Sequence, residues 1–330
     1  MSALLSLIAV LILIILATLG VGVLHLNGLF GIVIPYIAVT MFIIGFFYRI
    51  FKWASAPVPF RITTTCGQEK SLSWIKRNRL ESPFTNLEVV GRMVLEIFCF
   101  WSLFRNTKSE LKEGPKLVYG SNKYLWAGAL AFHYSFLVIF LRHYRFFVEP
   151  IPALLNMMQS FDGFFQVGIP VLYITDIVLI GALGYLFFRR VLDPKLRYIS
   201  LPSDYFALFL LLGIAISGVL MRYFFKVDII GVKELAIGLV SFHPKTPAGI
   251  GLLFYIHLFL VCTLFAYFPF SKLMHMPGIF FSPTRNLANN NRAVRHINPW
   301  NYPVKVHTYE EWEDEFREKM KAAGLPLERE

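Results

Sequence analysis

Apolar residues run almost unbroken through positions 1–48, where no Asp, Glu, Lys or Arg occurs. Two stretches fit there, 3–24 and 29–50, joined by a short turn at His25-Leu26-Asn27-Gly28. Each is long enough to cross a bilayer, whose core takes about 20 apolar residues as a helix. Four more such stretches follow at 124–147, 168–188, 204–225 and 249–270. Another, 86–104, is apolar around Phe98, Cys99, Phe100 and Trp101 but is interrupted by Glu88, Arg92 and Glu96. That pattern suits a helix lying along the membrane or covered by a partner. A cleaved signal peptide competes for the first run. It has no basic flank and another span follows at once, so it is expected to be retained. The expectation is an all-α polytopic membrane protein with six transmembrane helices.

Composition closes off other classes. Of 330 residues, 56% are hydrophobic, 16% are charged and 33 are Phe, against roughly 45–50% apolar and 25% charged in soluble proteins. A soluble globule could not bury this much apolar surface, and a disordered chain would be poor in aromatics. Three Cys, at 66, 99 and 262, form no Cys-x-x-Cys pair. A disulfide scaffold, a zinc knuckle and an iron–sulfur cluster held by this chain are therefore not expected.

The basic residues orient the spans. Segment 49–123 carries 13 Lys/Arg against six Asp/Glu, and segment 149–167 carries no Lys or Arg. Segment 189–203 carries Arg189, Arg190, Lys195 and Arg197, segment 226–247 three basic residues, and the tail from 271 nine. With six spans the basic-rich segments share one side, which the positive-inside rule makes the cytoplasm, together with both termini. A seventh span at 86–104 would divide them. The net charge of +11 thus belongs to loops beside membrane lipid and needs no nucleic-acid partner. In the tail, Thr308-Tyr309-Glu310-Glu311 has capping-box spacing, with Gly324 and Pro326 as stop signals. Trp312, Phe316 and Met320 form one apolar stripe, packed on the protein's own loops or docked to a cytoplasmic subunit.

Four of the eight His concern the spans. His133 and His143 belong to the third span, His257 and His275 to the sixth. His25, His243, His296 and His307 lie outside the spans or at their edges and are given no role. An ionisable residue within a span is costly unless partnered, so it marks function by default. Ten residues along a helix rise about 15 Å, and eighteen make five full turns over about 27 Å. Pro269 interrupts the second interval and is expected to kink it. The third span runs outward and the sixth inward. His143 and His257 then share the outer level, His133 and His275 the inner one. This arrangement suits two stacked six-coordinate haems with paired imidazole ligands. The bland alternative is a set of satisfied core or pore histidines. No Cys-x-x-Cys-His occurs, so the haems would be b-type. Ala127, Gly128, Ala129 and Ala131 would admit a flat macrocycle or serve helix packing.

These two helices resemble the cytochrome b subunit of the respiratory nitrate reductase gamma family, which has five spans, two haems b and ligand spacings of 10 and 18. The resemblance covers roughly residues 29–277. It implies an outer haem iron held by His143 and His257 and an inner one by His133 and His275. Residues 1–28 form an extra N-terminal helix, 51–123 a long basic loop within the dihaem domain, and 278–330 a cytoplasmic tail. That layout is similar to the DsrM family of membrane cytochromes b, found in the sulfite-reduction-associated complex DsrMKJOP. The resemblance implies electron exchange between menaquinone and a cytoplasmic iron–sulfur partner resembling heterodisulfide reductase (DsrK-like), among other subunits of a membrane complex. It makes an oxidised form of the small carrier DsrC the acceptor further on.

Arg142 and Arg145 flank His143, and Arg222 ends the fifth span. They are candidates for haem propionates or a quinone oxygen, or they snorkel to the interface. Glu149, Asp162 and Asp176 are candidates for proton transfer, with a structural role open for Asp176. The nitrate reductase lysine after the third span has no counterpart, since no Lys or Arg occurs between Arg145 and Arg189. Three readings stand at this point. The first is a quinone-linked electron conduit, its direction unfixed. The second is the same haem system serving another enzyme of the broad family. The third is a non-redox transporter with a His proton relay.

Overall fold

A computed structural model describes residues 1–57, 70, 73–114, 116–168, 170–294 and 306–328. His296 and Cys66 lie outside them. Helix α1 (Ser2–Gly22) is followed by a turn, a π-helical turn at Leu29–Val33 and α2 (Ile34–Ala54). Pro35 stands in the first turn of α2, where its missing N–H costs nothing. Next come α3 (Asn86–Cys99) and α4 (Trp101–Arg105). An antiparallel hairpin, β1 (Thr107–Lys112) and β2 (Lys116–Ser121), pairs Thr107 with Ser121. The chain continues through α5 (Lys123–His143), α6 (Ala153–Asp162), α7 (Ile174–Leu192) and α8 (Pro194–Ile199). Then follow α9 (Pro202–Val219) with a π-helical turn at Leu220–Phe224, α10 (Ile229–Val240) and α11 (Leu252–Tyr267). Two 3-10 turns, Phe268–Phe270 and Lys272–Met274, lead to α12 (His275–Gly278), α13 (Pro283–Asn286) and α14 (Tyr309–Ala322).

Among the described residues five helices are long and apolar enough to cross a membrane: Ser2–Gly22, Leu29–Ala54, Lys123–Phe146, Pro202–Phe224 and Leu252–Phe270. The helix expected at 168–188 begins at Ile174, after a stretch of turns, and carries Asp176, Arg189 and Arg190. The expectation of helices alone is corrected by the β1–β2 hairpin. Its strands are short and largely exposed, β1 is polar, and Gly114 at φ +79° closes the turn, so no apolar alternation announces them.

The spans turn large apolar side chains outward, among them Leu4, Ile8, Leu11, Ile15, Ile37, Ile44 and Phe51. A bilayer solvates such a surface where water does not. Inside, α5 packs on α7, α7 on α9, α9 on α1 and α11, and α11 on α2. One core joins Val10, Leu210 and Leu260, and another Leu179, Leu183 and Leu211. Gly45 shows how close α2 and the 3-10 turn after α11 come. A Cβ there would lie 2.7 Å from Pro269 Cβ.

Segment 86–104 is not one helix. It breaks at Phe100, which takes the left-handed φ of +49°. The 14 residues of α3 reach only about 21 Å, short of the roughly 30 Å bilayer core. Helix α3 buries Arg92 and Glu96 and exposes Leu87, Val90, Val94 and Phe98. The buried side carries the start of the tail. Helix α13 packs on α3, Arg285 Nε lies 3.6 Å from Glu96 Oε1, and Asn289 N donates to Pro83 O at 2.6 Å. The expected divisions 51–123 and 278–330 are therefore in contact with each other. In α14 the capping box forms, Trp312 stacks toward Phe316 at 5.5 Å, and Met320 is buried.

Candidate haem-binding site

The four span histidines meet as two pairs. His143 and His257 have ring centroids 6.3 Å apart with planes 11° from parallel. His133 and His275 are 6.0 Å apart with planes at 89°. Helix α5 supplies one member of each pair at its own ten-residue spacing. The second pair does not depend on five unbroken helical turns. Helix α11 stops at Tyr267, and Pro269 and Ser271 turn the chain through two 3-10 segments before His275.

Each ring is held at Nδ1. His133 Nδ1 lies 2.8 Å from Ala129 O, His143 Nδ1 2.7 Å from Ile139 O, and His275 Nδ1 2.9 Å from Lys272 O. A carbonyl only accepts, so these Nδ1 atoms carry the proton and leave Nε2 a free lone pair. His257 Nδ1 lies 2.9 Å from Ser217 Oγ. That hydroxyl donates to Gly213 O at 2.7 Å and so accepts from His257. Fixing the outer nitrogen of a ligand histidine is how proteins set its tautomer and ring plane.

The donor set would fit a metal ion held between the paired imidazoles, whose ring centroids stand 6.3 and 6.0 Å apart. Among the described residues no group of three or more His, Cys, Asp or Glu could hold a bare metal ion. Two facing imidazoles suffice only where a macrocycle supplies the remaining ligands.

The surroundings of the pairs were not all expected. Phe100 and Phe132 each set a ring edge-on to His133 at 4.9 Å. The strained Phe100 turn is held to α5, since Trp126 Nε1 donates to Cys99 O at 2.7 Å and Tyr134 OH to Phe98 O at 2.8 Å. Neither Ser217 nor Phe100 carries a sequence signal. A serine in a span reads as back-bonding to the preceding turn, which Ser217 also does. Of the small residues on α5, Gly128 serves helix packing. A Cβ there would lie 2.6 Å from the Tyr185 ring.

Two of the three arginines meet on the Tyr173 ring and Arg145 stands apart. Arg142 pairs with Asp162, lies 3.4 Å from Asp176 Oδ1 and 3.1 Å from Thr175 Oγ1, and covers the Tyr173 ring at 3.6 Å. Arg222 covers the same ring at 3.9 Å and donates to Val171 O at 3.0 Å. Its buried Nε has no acceptor among the described residues. Arg145 donates to Gln159 Oε1 at 2.8 Å. Tyr223 OH donates to Asp176 Oδ2 at 2.7 Å. Glu149 pairs with Lys233 of α10, so a lysine reaches the loop after α5 from elsewhere in the chain. His243 Nδ1 caps Ser241 O at 2.7 Å, and His307 lies 3.9 Å from Glu311.

The family model for the nitrate reductase gamma subunit matches residues 95–296, which takes in all four histidines and leaves α1 and α2 outside. The chain is 47% identical over 279 residues to an Hdr-like menaquinol oxidoreductase cytochrome b-like subunit of Archaeoglobus fulgidus, covering 82% of this chain and 83% of that one. A protein of the same description from Archaeoglobus profundus is 42% identical over 274 residues, covering 81% of each. The chain belongs to the nitrate reductase gamma subunit family, as a relative of the Hdr-like menaquinol oxidoreductase cytochrome b-like subunits.

Proposed function

We propose that this chain is the dihaem cytochrome b of a menaquinol-oxidising membrane complex, with one haem b held by His143 and His257 and the other by His133 and His275. Bound there, each haem supplies a one-electron carrier whose potential is set by its axial ligands and surroundings. The chain's residues do the rest. The four imidazoles present Nε2, while Ser217 and three backbone carbonyls hold their tautomers. Arg145 and Arg222 keep free N–H groups for propionates or a quinone oxygen. Arg142, taken up by two carboxylates, holds Asp176 in place.

Menaquinol as donor follows the relatives' description. Each hydroquinone gives up two protons and two electrons. Asp176 and Asp162 hold Arg142, the neighbour of His143 at the level assigned to the outer face, and Glu149 follows in the loop after α5. The electrons pass toward His133 and His275 and on to a cytoplasmic iron–sulfur subunit resembling heterodisulfide reductase (DsrK-like). The extra N-terminal helix and basic loop favour a DsrM-like role in dissimilatory sulfur metabolism. Helix α7, packed between α5 and α9, completes six spans, with both termini in the cytoplasm beside the basic segments.

One observation carries this reading: two facing imidazole pairs, ten residues apart on α5, each with Nδ1 already occupied. A pyridine haemochrome assay on purified protein tests it. Wild type should hold two b haems per chain, and each of His133, His143, His257 and His275 changed to Ala should leave one. His143→Ala with His257→Ala should also leave one, because those two share a haem. His133→Ala with His143→Ala should leave none. A wild type without haem, after expression with ample haem supply, overturns the proposal in favour of a proton-relay transporter.

A further inference from the structure

Beside α3 lies a groove of about 680 Å³. Leu80 and Leu87 give it an apolar wall, and Lys76 and Arg79 stand exposed along it. Three carboxylates occur between residues 73 and 105, and each is already taken. Glu88 also lines the groove, but Arg77 and the N–H groups of Phe84 and Thr85 hold its oxygens. Glu81 pairs with Arg105 at 2.8 Å, and Glu96 with Arg285 at 3.6 Å. Lys76 and Arg79 enter no ion pair among the described residues. The groove therefore sets two unmatched positive charges against an apolar wall.

The exposed face of α3 continues that wall. Leu87, Val90, Val94 and Phe98 point outward, Leu87 being 81% exposed, while Arg92 and Glu96 are buried on the other side. The end of this helix is tied to a span. Trp126 Nε1 donates to Cys99 O and Tyr134 OH to Phe98 O. Trp126 and Tyr134 lie about 5 and 16 Å along α5, which is long and apolar enough to cross a membrane. At Phe100 the chain reverses. Phe104 of α4 comes back to the Trp126 ring at 4.9 Å, with Lys123 Nζ 5.0 Å over its own ring. Helices α3 and α4 thus dip beside α5 and return toward its start. On α5, Tyr134 and, one turn on, Leu137 are exposed as well, so one apolar surface runs from the helix pair onto the span. Lipid covers such a surface along a span, and a soluble protein would have to enter the bilayer to reach it. Charge selects the kind of lipid, since basic side chains beside an apolar helix face attract anionic head groups.

We infer that α3 and α4 sit in the membrane leaflet at the His133–His275 end, and that the groove holds the phosphate of an anionic phospholipid between Lys76 and Arg79, its acyl chains along Leu87, Val90 and Val94. The inference needs only a chain in a membrane, so it stands or falls apart from the haem and quinone readings. Native mass spectrometry of the whole purified chain compares bound dioleoylphosphatidylglycerol with bound dioleoylphosphatidylcholine. Lys76→Ala with Arg79→Ala should cut the preference for the anionic lipid about thirtyfold, at roughly fivefold for each basic residue. Lys245→Ala, in the loop between α10 and α11, should leave it unchanged, and unchanged thermal midpoints check that the variants fold. Glycerol 3-phosphate, the head without its chains, should bind far more weakly than the lipid. A spin label at Val94→Cys, with Cys66→Ser and Cys99→Ser, reads the helix face in nanodiscs of the two lipids. It should be open to oxygen and closed to a water-soluble nickel chelate. An unchanged preference in the double variant overturns the head-group site. Glycerol 3-phosphate bound as tightly as the lipid overturns it in favour of a soluble phosphate compound. Nickel access at Val94 overturns the lipid-covered face and leaves it to a soluble protein partner.

Discussion

The two imidazole pairs are alike in separation and unlike in everything around them. At the His143–His257 end the rings are nearly parallel, one is locked by a side chain, and the neighbours are ionic. Arg142, Asp162 and Asp176 with Thr175 and Tyr223 form one connected network where α5, α6 and α7 meet. At the His133–His275 end the rings are perpendicular, both locks are backbone carbonyls, and the neighbours are Phe100 and Phe132. Charges appear there too, on α3 and the chain around it and in the Lys272–Asp204–Arg190 group, at the ends of helices rather than against the histidine rings. Charge inside a bilayer is expensive and persists where something must be bound or moved. An aromatic wall asks for no proton and insulates. The contrast supports the proposal that proton and quinol chemistry belong to one end and electron hand-over to the other.

The ionic end can be broken most heavily at Arg142. Its side chain is 12% exposed and that of Asp162 is 2% exposed. Arg142→Leu strands two carboxylates, and removing one partner of a buried ion pair costs about 3–5 kcal/mol. Thermal unfolding in detergent should show a large drop in midpoint. Arg105→Leu breaks a pair whose arginine is 41% exposed and should cost no more than about 1 kcal/mol. Equal losses in the two variants would dissolve the distinction between the ends.

A finer test uses Ser217, because only this lock can be removed by mutation. Ser217→Ala frees His257 Nδ1 and its ring plane. Loss of such an outer partner typically costs about 10- to 100-fold in metal affinity. Haem titration of the apoprotein should show one weakened site and one unchanged. The redox titration should shift for one haem alone. Equal weakening of both sites would mean that Ser217 supports the bundle rather than one ligand.

Much of this was legible in the chain because lipid leaves a polytopic protein few options. A backbone that must satisfy itself inside hydrocarbon forms helices, and their lengths follow the bilayer. The His133–His143 spacing lies within one helix and survives intact. The His257–His275 spacing succeeds for a different reason than five straight turns. Pro269 and Ser271 break the helix, and the 3-10 path still delivers His275 opposite His133. The hydroxyl of Ser217, the strained turn at Phe100 and the meeting of Lys233 with Glu149 are tertiary events with no periodicity behind them. The hairpin at 107–121 escaped because its strands expose both faces. The burial of Arg92 and Glu96 under an exposed apolar face reverses the usual rule for a helix on a protein surface. It fits a helix whose apolar side meets something other than water.

That helix supplies the smallest test, at its capping box. Thr85 Oγ accepts from Glu88 N at 3.4 Å, and Glu88 accepts in return from the N–H groups of Thr85 and Phe84. Arg77 donates to the same carboxylate at 2.5 Å. Burial alone would raise the Glu88 carboxyl, but the two backbone N–H groups and the Arg77 guanidinium outweigh it and hold it below the usual carboxylate range. A carboxyl lowered in the folded state stabilises above its unfolded value, near about 4.3, and the gain is lost as pH falls through that value toward the lower folded one. Thr85→Ala should cost about 1 kcal/mol at neutral pH. Hydrogen-exchange protection factors in the first turn of α3, corrected for the chemical exchange rate, should fall between pH 6 and pH 3 in the wild type. Glu88→Gln should start lower and stay flat. Equal acid losses in wild type and Glu88→Gln would mean that the start of α3 does not rest on the Glu88 carboxylate, and the charge assigned to this end of the molecule would lose its structural role.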